Sequence, residues 1–377
     1  MIYNGNVQDF GYYQVGNERH YSKILAIIAA EQNHEFPHFV FHDDVFGKFN
    51  WTKEPTKSLP QLYADRAWEI RNKYDYVVLH YSSGSDSQNI LETFIENKIP
   101  LDEIIMRGSL KHVDRDFNNS TAENMFAEVH FNAYPLAQHV KDTYYPHLKI
   151  TVVDSTDYIM DYFKDNPNWF DLNDNPNSFL SPCMVARSDF DALSDDYKKI
   201  TDSGKSIGHV LGIDKPMLNY IDGKFVIRFL DKFVNLFLPS RSTGLDLPLC
   251  REAFYWSPSS AQMIIKQAHV IKNYIKQNKL DPNILNQSRD RSTHDFIANL
   301  IYDRKFNVKF VTEKLKSTGI IFPYHEFFFK DTTSDHVVNW RRGITEANAV
   351  IPDKWKHNGD IINDLVGVWS RPYNIGD

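Results

Sequence analysis

The chain has 377 residues, of which 42% are hydrophobic and 24% are charged, and this composition excludes a disordered chain or a fibrous repeat. Its length predicts two or three domains with a substantial buried core. The formal net charge of -7 disfavours general binding to duplex DNA, because proteins that neutralise DNA phosphates are usually basic.

The first 57 residues read as a mixed N-terminal segment. Within it, residues 22–30 form a short apolar stretch that predicts a helix, and residues 38–42 predict a strand. Ser58 is placed to cap a further helix, in which apolar residues recur at helical spacing as far as Ile70.

From residue 76 onward, apolar runs of buried-strand length alternate with helical stretches. The predicted strands are 76–80, 101–106, 148–153 and 207–213. The predicted helices are 87–97, 121–144, 156–163 and 183–202, and the stretch 166–177, rich in Asn, Asp and Pro, is a predicted loop. Strands separated by helices predict an α/β fold, in which helices cover both faces of a parallel sheet.

After residue 216 this alternation ends. Asp222-Gly223 lies between two apolar runs and predicts a β-hairpin. Ser257-Pro258 predicts the start of a helix, and residues 334–348 and 360–369 also read as helical. The chain therefore divides into a mixed segment, 1–57, an α/β domain, 58–235, and a mainly helical substrate-binding or cap region, 236–377.

The loop after the strand 76–80 carries the chemistry. It consists of small hydroxyl residues and glycine and runs directly into a helix, with the sequence Ser82-Ser83-Gly84-Ser85-Asp86-Ser87. The amides and hydroxyls of such a loop wrap an anion, and the helix N-terminus adds partial positive charge. A carboxylate repels phosphate, so Asp86 fits this loop as a ligand of Mg²⁺. The pattern predicts a metal-bound polyphosphate at the carboxyl end of a parallel strand.

These residues resemble the SGGxDS loop of the PP-loop, or N-type, ATP pyrophosphatases, which include asparagine synthetase, GMP synthetase, NAD synthetase and PAPS reductase. The resemblance covers residues 70–216 and implies a HUP-like domain that binds ATP and Mg²⁺ through Ser82, Ser83, Gly84, Ser85, Asp86 and Ser87. Members adenylylate a substrate oxygen, release pyrophosphate and let ammonia, an amine or sulfur displace AMP, whereas PAPS reductases use the fold without ATP. Ser83 departs from the pattern, which has glycine there, and glycine would permit a positive φ or a close approach of phosphate.

Other strand ends extend the implied site. The strand that begins at residue 207 leads into Gly212, Asp214 and Lys215, and ligases of the superfamily have a similar Gly-x-Asp turn near the pyrophosphate. The resemblance implies that Asp214 is a second Mg²⁺ ligand and that Lys215, with Asp86, is catalytic because it neutralises the leaving pyrophosphate. It also implies that adenine lies near Arg107-Gly108-Ser109, after the second strand. Asp154 ends the third strand, and both of these segments could instead be polar strand exits.

The two cysteines, Cys183 and Cys250, exclude several classes of activity. Two distant thiols cannot form a four-cysteine zinc site, and neither has the setting of a glutaminase nucleophile. We therefore expect a Mg²⁺-dependent, AMP-forming ligase without a built-in glutaminase. It joins an amine or ammonia to an adenylylated small-molecule or nucleotide substrate. A homo-oligomer is a possible partner state. Two alternatives stay open: a PAPS- or APS-binding protein, and a non-catalytic nucleotide-binding protein whose loop has degraded at Ser83.

The sequence also bears on location. It shows no signal peptide and no apolar stretch of membrane-spanning length, and its cysteine usage fits a reducing compartment, so we expect a cytoplasmic protein. Residues 13–16, 21–23, 50–51 and 54–55 resemble segments of PP-loop proteins of phages and large viruses. That resemblance implies the cytoplasm of an infected cell and a role in the modification of nucleotides or nucleic acids.

Overall fold

The computed structural model describes residues 11–111, 129–172, 180–186, 195–212, 216–231, 249–287, 291–302, 326–357 and 359–377. Within them the strands are β1 (Tyr12–Val15), β2 (Glu18–His20), β3 (His38–Val40), β4 (Tyr76–His80), β5 (Glu103–Gly108), β6 (Lys149–Asp154), β7 (Ile207–Leu211), β8 (Met217–Ile221), β9 (Lys224–Arg228), β10 (Leu249–Ala253), β11 (Lys356–His357), β12 (Asp360–Leu365) and β13 (Tyr373–Gly376). The α-helices are α1 (Lys23–Asn33), α2 (Asp43–Phe46), α3 (Leu59–Lys73), α4 (Ser85–Glu96), α5 (Tyr134–Thr143), α6 (Thr156–Asp165), α7 (Pro182–Val185), α8 (Asp195–Asp202), α9 (Ala261–Gln277), α10 (Arg291–Ile301), α11 (Glu326–Phe329) and α12 (Asp335–Val350). Short turns of π-helix (Val129–Ala133) and of 3-10 helix (Pro258–Ser260, Pro282–Gln287 and Asp353–Trp355) lie between them.

β4, β5, β6, β7 and β10 form one five-stranded sheet in which every pairing is parallel. The spatial order is β6-β5-β4-β7-β10, so numbering these strands along the chain gives the order 3-2-1-4-5. Doubly wound nucleotide-binding sheets have the same order in their first five strands. The α/β fold class predicted from the alternation of strands and helices is confirmed, and the predicted strands lie within two residues of the observed ones at their starts and ends.

Both faces of this sheet are covered, because successive side chains of a strand point to opposite sides. In β4, Val77 and Leu79 belong to the main hydrophobic core, to which α4 contributes Ile90. Val78 faces the other side, where it packs in a smaller cluster with Tyr197 of α8. The apolar run in β4 is therefore continuous because each of its faces has a core of its own.

α3 begins where the sequence predicts, at a reciprocal capping box. The backbone N–H of Gln61 donates to the Ser58 hydroxyl, and the side-chain carbonyl of Gln61 accepts from the backbone N–H of Ser58. α3 packs against both α4 and α9, so α4 lies between the sheet and α3.

The edge strand β10 is fixed to the rest of the domain by a buried ionic network. Glu252 of β10 accepts hydrogen bonds from Arg66 at 2.8 Å, from Lys73 at 2.6 Å and from the Tyr74 hydroxyl at 2.6 Å. Burial alone would raise the pKa of Glu252, but the charge of Arg66 and the bonds from Lys73 and Tyr74 outweigh it, so this pKa lies below its usual value. The network joins β10 to the C-terminal end of α3.

Small antiparallel sheets contain the remaining strands. β1 pairs with β2 and β3 near the N-terminus, which confirms the predicted strand at 38–42, and α1 confirms the predicted helix before it. β8 and β9 form the predicted hairpin, and its turn residues Asp222 and Gly223 have φ values of 50° and 76°, as a two-residue turn of this kind requires. β13 adds to β9.

One helical prediction is wrong. Residues 360–369 contain the strand β12, which pairs with β11, whereas the prediction at 334–348 is confirmed by α12. Ile361 and Leu365 of this segment are both buried and lie four residues apart, a spacing that fits one face of a helix. A spacing of four also places both side chains on the same face of a strand, so it fits both periodicities.

The boundary placed near residue 235 stays a prediction, and two strand pairings cross it. β10 pairs with β7, and β13 pairs with β9, although β10 and β13 belong to the part predicted to be mainly helical. In the part of the chain that the structure describes, none of the helices has the length and apolar character needed to cross a membrane.

Candidate functional site

The loop with residues 82–87 lies at the carboxyl end of β4, the central strand of the sheet. The chain leaves β4 toward β5 on one side, and β7 occupies the other side, so the strand order reverses at this point. Open parallel sheets bind their ligands at the carboxyl edge where this reversal occurs. The predicted loop therefore occupies the position in the fold that is best suited to a ligand.

Ser83 has a left-handed backbone, with φ of 55°. Its hydroxyl oxygen is buried and has no hydrogen-bond partner among the described residues. Gly84 is the N-cap residue of α4, and no side chain caps this helix end in the described part of the chain. A helix N-terminus without a cap and a buried hydroxyl without a partner are two donor groups that an anion would satisfy.

The shape of the loop is fixed from within by Ser87, which is 4% exposed. Its hydroxyl donates to the Gly84 carbonyl at 3.2 Å and accepts from the Ser82 N–H at 3.3 Å. Ser82 also lies within hydrogen-bond distance of Ser87 through its own hydroxyl, at 3.4 Å. The structure thus gives Ser87 a role in closing the loop, and the contact with a cofactor that the resemblance implied stays a prediction.

Asp86 is held in place by two tyrosines that are distant in sequence. The Tyr302 hydroxyl donates to its carboxylate, and the Tyr255 hydroxyl donates to its backbone carbonyl at 3.0 Å. Asn89 donates to the Tyr255 oxygen at 2.9 Å, and the two tyrosine rings lie 5.7 Å apart. Burial raises the pKa of both phenols well above the usual value, so both are protonated donors at neutral pH. Sequence reasoning missed these tyrosines, since nothing in their local pattern connects them to residue 86.

The donor set fits Mg²⁺ in a limited way. The described residues contain no cluster of three or more potential metal ligands. Mg²⁺ in nucleotide sites needs only one or two carboxylates, because phosphates and waters complete its octahedron. Asp86 can supply one carboxylate oxygen while Tyr302 fixes the other, and the predicted second ligand, Asp214, lies outside the described residues.

The segment after β7 approaches the loop at Gly212. A side-chain carbon at this position would lie 2.9 Å from the Ser87 backbone nitrogen and 3.0 Å from the Ile90 side chain. Glycine is thus required here, because the backbone after β7 packs directly against the first turn of α4. Asp214 and the predicted catalytic Lys215 follow within three residues, and both lie outside the described residues.

Arg107, Gly108 and Ser109 lie at the carboxyl edge of the neighbouring strand, β5. Gly108 pairs with Asp154 at the end of β6, and Asp154 accepts from the backbone and hydroxyl of Thr156 and from the Leu110 N–H. Burial alone would raise the pKa of Asp154, and these bonds outweigh it, so the pKa lies below its usual value. Asp154 thus ties the end of β6 to Leu110 and Thr156, and both roles considered for it stay predictions.

The thiol of Cys183 lies 4.0 Å from the Ser109 hydroxyl. Burial raises the pKa of this thiol to about 12, so it is protonated at neutral pH. A protonated thiol is a poor nucleophile, which argues against acyl or sulfur transfer at Cys183.

Two histidines form a further pair at the same edge of the sheet, which sequence reasoning did not identify. His80, the last residue of β4, and His209 of β7 are joined by a 2.9 Å contact between Nε2 and Nδ1. They lie two positions apart along adjacent strands, so no local motif reveals them.

The chain matches no protein-family model, and a search of curated proteins found no match either.

Proposed function

We propose that this protein is a Mg²⁺-dependent ATP pyrophosphatase of the PP-loop type, with a HUP-like α/β domain. It adenylylates an oxygen of a small-molecule or nucleotide substrate, releases pyrophosphate, and then lets an amine or ammonia displace AMP. We place it in the cytoplasm, and the phage-like segments at the N-terminus put its substrate among nucleotides or nucleic acids of an infected cell.

One observation carries this proposal. The loop 82–87 joins the central parallel strand to α4 at the reversal of strand order. Among the described residues, no side chain caps the N-terminus of this helix, and the buried Ser83 hydroxyl has no hydrogen-bond partner. Such donors favour a phosphate chain at this position. The loop has no lysine of the kind that a Walker loop directs to the β- and γ-phosphates for cleavage at the γ-phosphate.

Each named residue has a definite task in the proposed reaction. Ser83 and the first amides of α4 bind the β- and γ-phosphates as one leaving group, so the substrate oxygen attacks the α-phosphorus. Asp86 holds Mg²⁺, which neutralises part of the phosphate charge when bound. Lys215 stabilises the negative charge that develops on pyrophosphate as its bond to the α-phosphorus breaks.

The direct test uses ATP labelled at the α-phosphate. With Mg²⁺ and a pool of candidate carboxylate and carbonyl acceptors, label should appear in AMP or in an adenylylated product, and pyrophosphate should form in equal amount. Label in ADP would refute the mechanism. The variant Asp86→Asn should abolish turnover with Mg²⁺, and the matched control Asp65→Asn should not, because Asp65 is an exposed residue of α3 paired with Lys57.

The bond between Tyr302 and Asp86 favours a second candidate, a nucleotide-binding protein without turnover. A carboxylate oxygen that is held by a phenol has one fewer position for a metal. In that case ATP should still stabilise the fold, by about 2.7 kcal/mol at a hundredfold excess over the dissociation constant, with no AMP formed in any acceptor pool. Stabilisation by PAPS without metal would point to a sulfonucleotide protein instead.

A further inference from the structure

We propose that His80 is the proton acceptor for the attacking nucleophile and that His209 is the residue that positions it. This inference rests on the proposed function, because it names the group that removes a proton at the same site.

The two histidines share one face of the sheet, on either side of the reversal in strand order. In the register of β4 with β7, Val78 pairs with His209 and His80 pairs with Leu211, so the histidines are diagonal neighbours. Their face is the one on which Val78 packs with Tyr197 of α8. His80 is the last residue of β4 and precedes the loop residues 81–84 directly.

His209 is a polar residue at a buried position whose surroundings are apolar. It is 1% exposed, its ring lies edge-on to the Tyr197 ring at 5.2 Å, and the residues around it, Val78 and Ile207, are apolar. An imidazole buried among apolar groups is costly unless its nitrogens are hydrogen-bonded, and an aliphatic side chain would pack here without that cost. The contact with His80 supplies such a bond.

The pair can take up one proton but not two. One ring nitrogen must donate and the other must accept, so at least one ring is neutral while the bond exists. A second added proton would break the bond and place two positive charges within 3 Å. On the same face, alternation along β5 places Arg107 near the carboxyl edge and Glu103 at the opposite end, and Tyr197 packs from α8.

The proposed step is balanced within the reaction. The amine nitrogen attacks the adenylylated carbon, the bond from that carbon to the AMP oxygen breaks, and AMP leaves with the electron pair. The proton from the amine nitrogen passes to the imidazole of His80. The bond to His209 fixes the orientation of the His80 ring and shares the added charge, which is the role that a third group usually plays beside a general base.

The test follows AMP formation from α-labelled ATP, Mg²⁺ and the pool of candidate acceptors, with water and then hydroxylamine as the nucleophile that attacks the adenylylated carbon. His80→Gln should lower the rate with water by at least tenfold, since general bases contribute about 10²–10⁴-fold, and should remove the acid limb of the pH–rate profile between about pH 5 and 8. Hydroxylamine, a strong nucleophile, should restore part of the rate. The ATP concentration that gives half-maximal thermal stabilisation should change less than twofold. His139→Gln, at an exposed histidine of α5, is the matched control.

His209 needs a readout that a packing role would not affect. His209→Gln keeps a side-chain acceptor for His80, so it should shift the acid limb of the pH–rate profile and lose less of the rate of AMP formation than His209→Leu. If His209 served only to pack the core, leucine would retain more of the rate than glutamine. A ¹⁵N-histidine spectrum provides a readout independent of turnover: the His80 and His209 signals should titrate as one pair and should shift when α,β-methylene-ATP and Mg²⁺ are added.

The outcomes separate the two proposals. If the wild type forms AMP and His80→Gln does so at the same rate with the same pH profile, the inference about His80 is refuted and the proposed function stands. If the wild type forms ADP, or is not stabilised by ATP, both proposals fail. Histidine signals that titrate independently and ignore the nucleotide would refute the pair even where AMP is formed.

Discussion

Replacing Ser83 by glycine tests the geometry of the loop without any knowledge of the substrate. The φ of 55° at Ser83 costs an L-residue about 1–2 kcal/mol, which glycine does not incur. Glycine loses more backbone entropy on folding, which offsets about 0.5–1 kcal/mol of that gain. The variant also removes a buried hydroxyl that has no partner among the described residues. We expect Ser83→Gly to stabilise the fold by about 0.5–1 kcal/mol.

The assay is thermal or urea unfolding without nucleotide, compared across a set of matched variants. Ser85→Gly places the same change two residues away inside α4, where φ is negative, and should destabilise by about 0.5–1 kcal/mol. Lys98→Gly, at an exposed residue with φ of 53°, should stabilise as Ser83→Gly does although it lies outside the loop. For a chain of this length the expected shifts in Tm are about 1–3 °C.

The result that would refute this reasoning is a loss of stability in Ser83→Gly equal to that in Ser85→Gly, with Lys98→Gly stabilised. The left-handed backbone at Ser83 would then carry no strain that glycine relieves. A second comparison adds ATP. If the Ser83 hydroxyl donates to a phosphate oxygen, Ser83→Gly should be more stable than the wild type without ATP but should gain less stability when ATP is added.

Three other substitutions test neighbouring contacts. Gly212→Ala should destabilise by about 1–3 kcal/mol in urea unfolding, because the added carbon would lie 2.9 Å from the Ser87 nitrogen; unchanged unfolding would contradict that packing. Glu252→Gln should cost about 3–5 kcal/mol of unfolding free energy. Because the pKa of Glu252 is depressed in the folded state, the wild type should lose this stability as pH falls below about 4.5. Unfolding measured over a series of pH values should show this loss in the wild type and not in the variant. Tyr302→Phe should cost about 1.5–3 kcal/mol in urea unfolding, because the Asp86 carboxylate loses this donor, and unchanged unfolding would count against the bond.

The sequence predicts the local parts of the site well because their signals are local. The run 76–80 is apolar enough to be buried on both faces, and the residues after it combine a glycine N-cap with small hydroxyls, so strand, loop and helix follow from adjacent residues. The departure at Ser83 was visible as well, and the structure gives it a physical meaning, a left-handed backbone at the position where the pattern has glycine.

The parts that sequence reasoning missed depend on contacts between distant residues. β10 reads as an isolated short segment, and its membership of the sheet follows from pairing with β7 and from the bonds between Glu252 and α3. His209 gives no local signal, because its partner lies 129 residues away. The misread segment 360–369 fails for a different reason, since two buried residues four apart satisfy the periods of a helix and of a strand alike.

The tyrosines around Asp86 connect the loop, which is predicted from adjacent residues, to parts of the chain that are distant in sequence. Tyr255 follows β10 and Tyr302 follows α10, so the end of the chain that lies beyond the predicted boundary supplies the donors that hold the loop. Tyr63 of α3 joins them, since its ring lies 6.1 Å from that of Tyr255 and its hydroxyl donates to the carbonyl of Ile301 at 2.8 Å. The orientation of the Asp86 carboxylate is therefore set by tertiary packing from both sides of residue 235. The loop can be predicted from six consecutive residues, but its geometry depends on side chains more than 160 residues away.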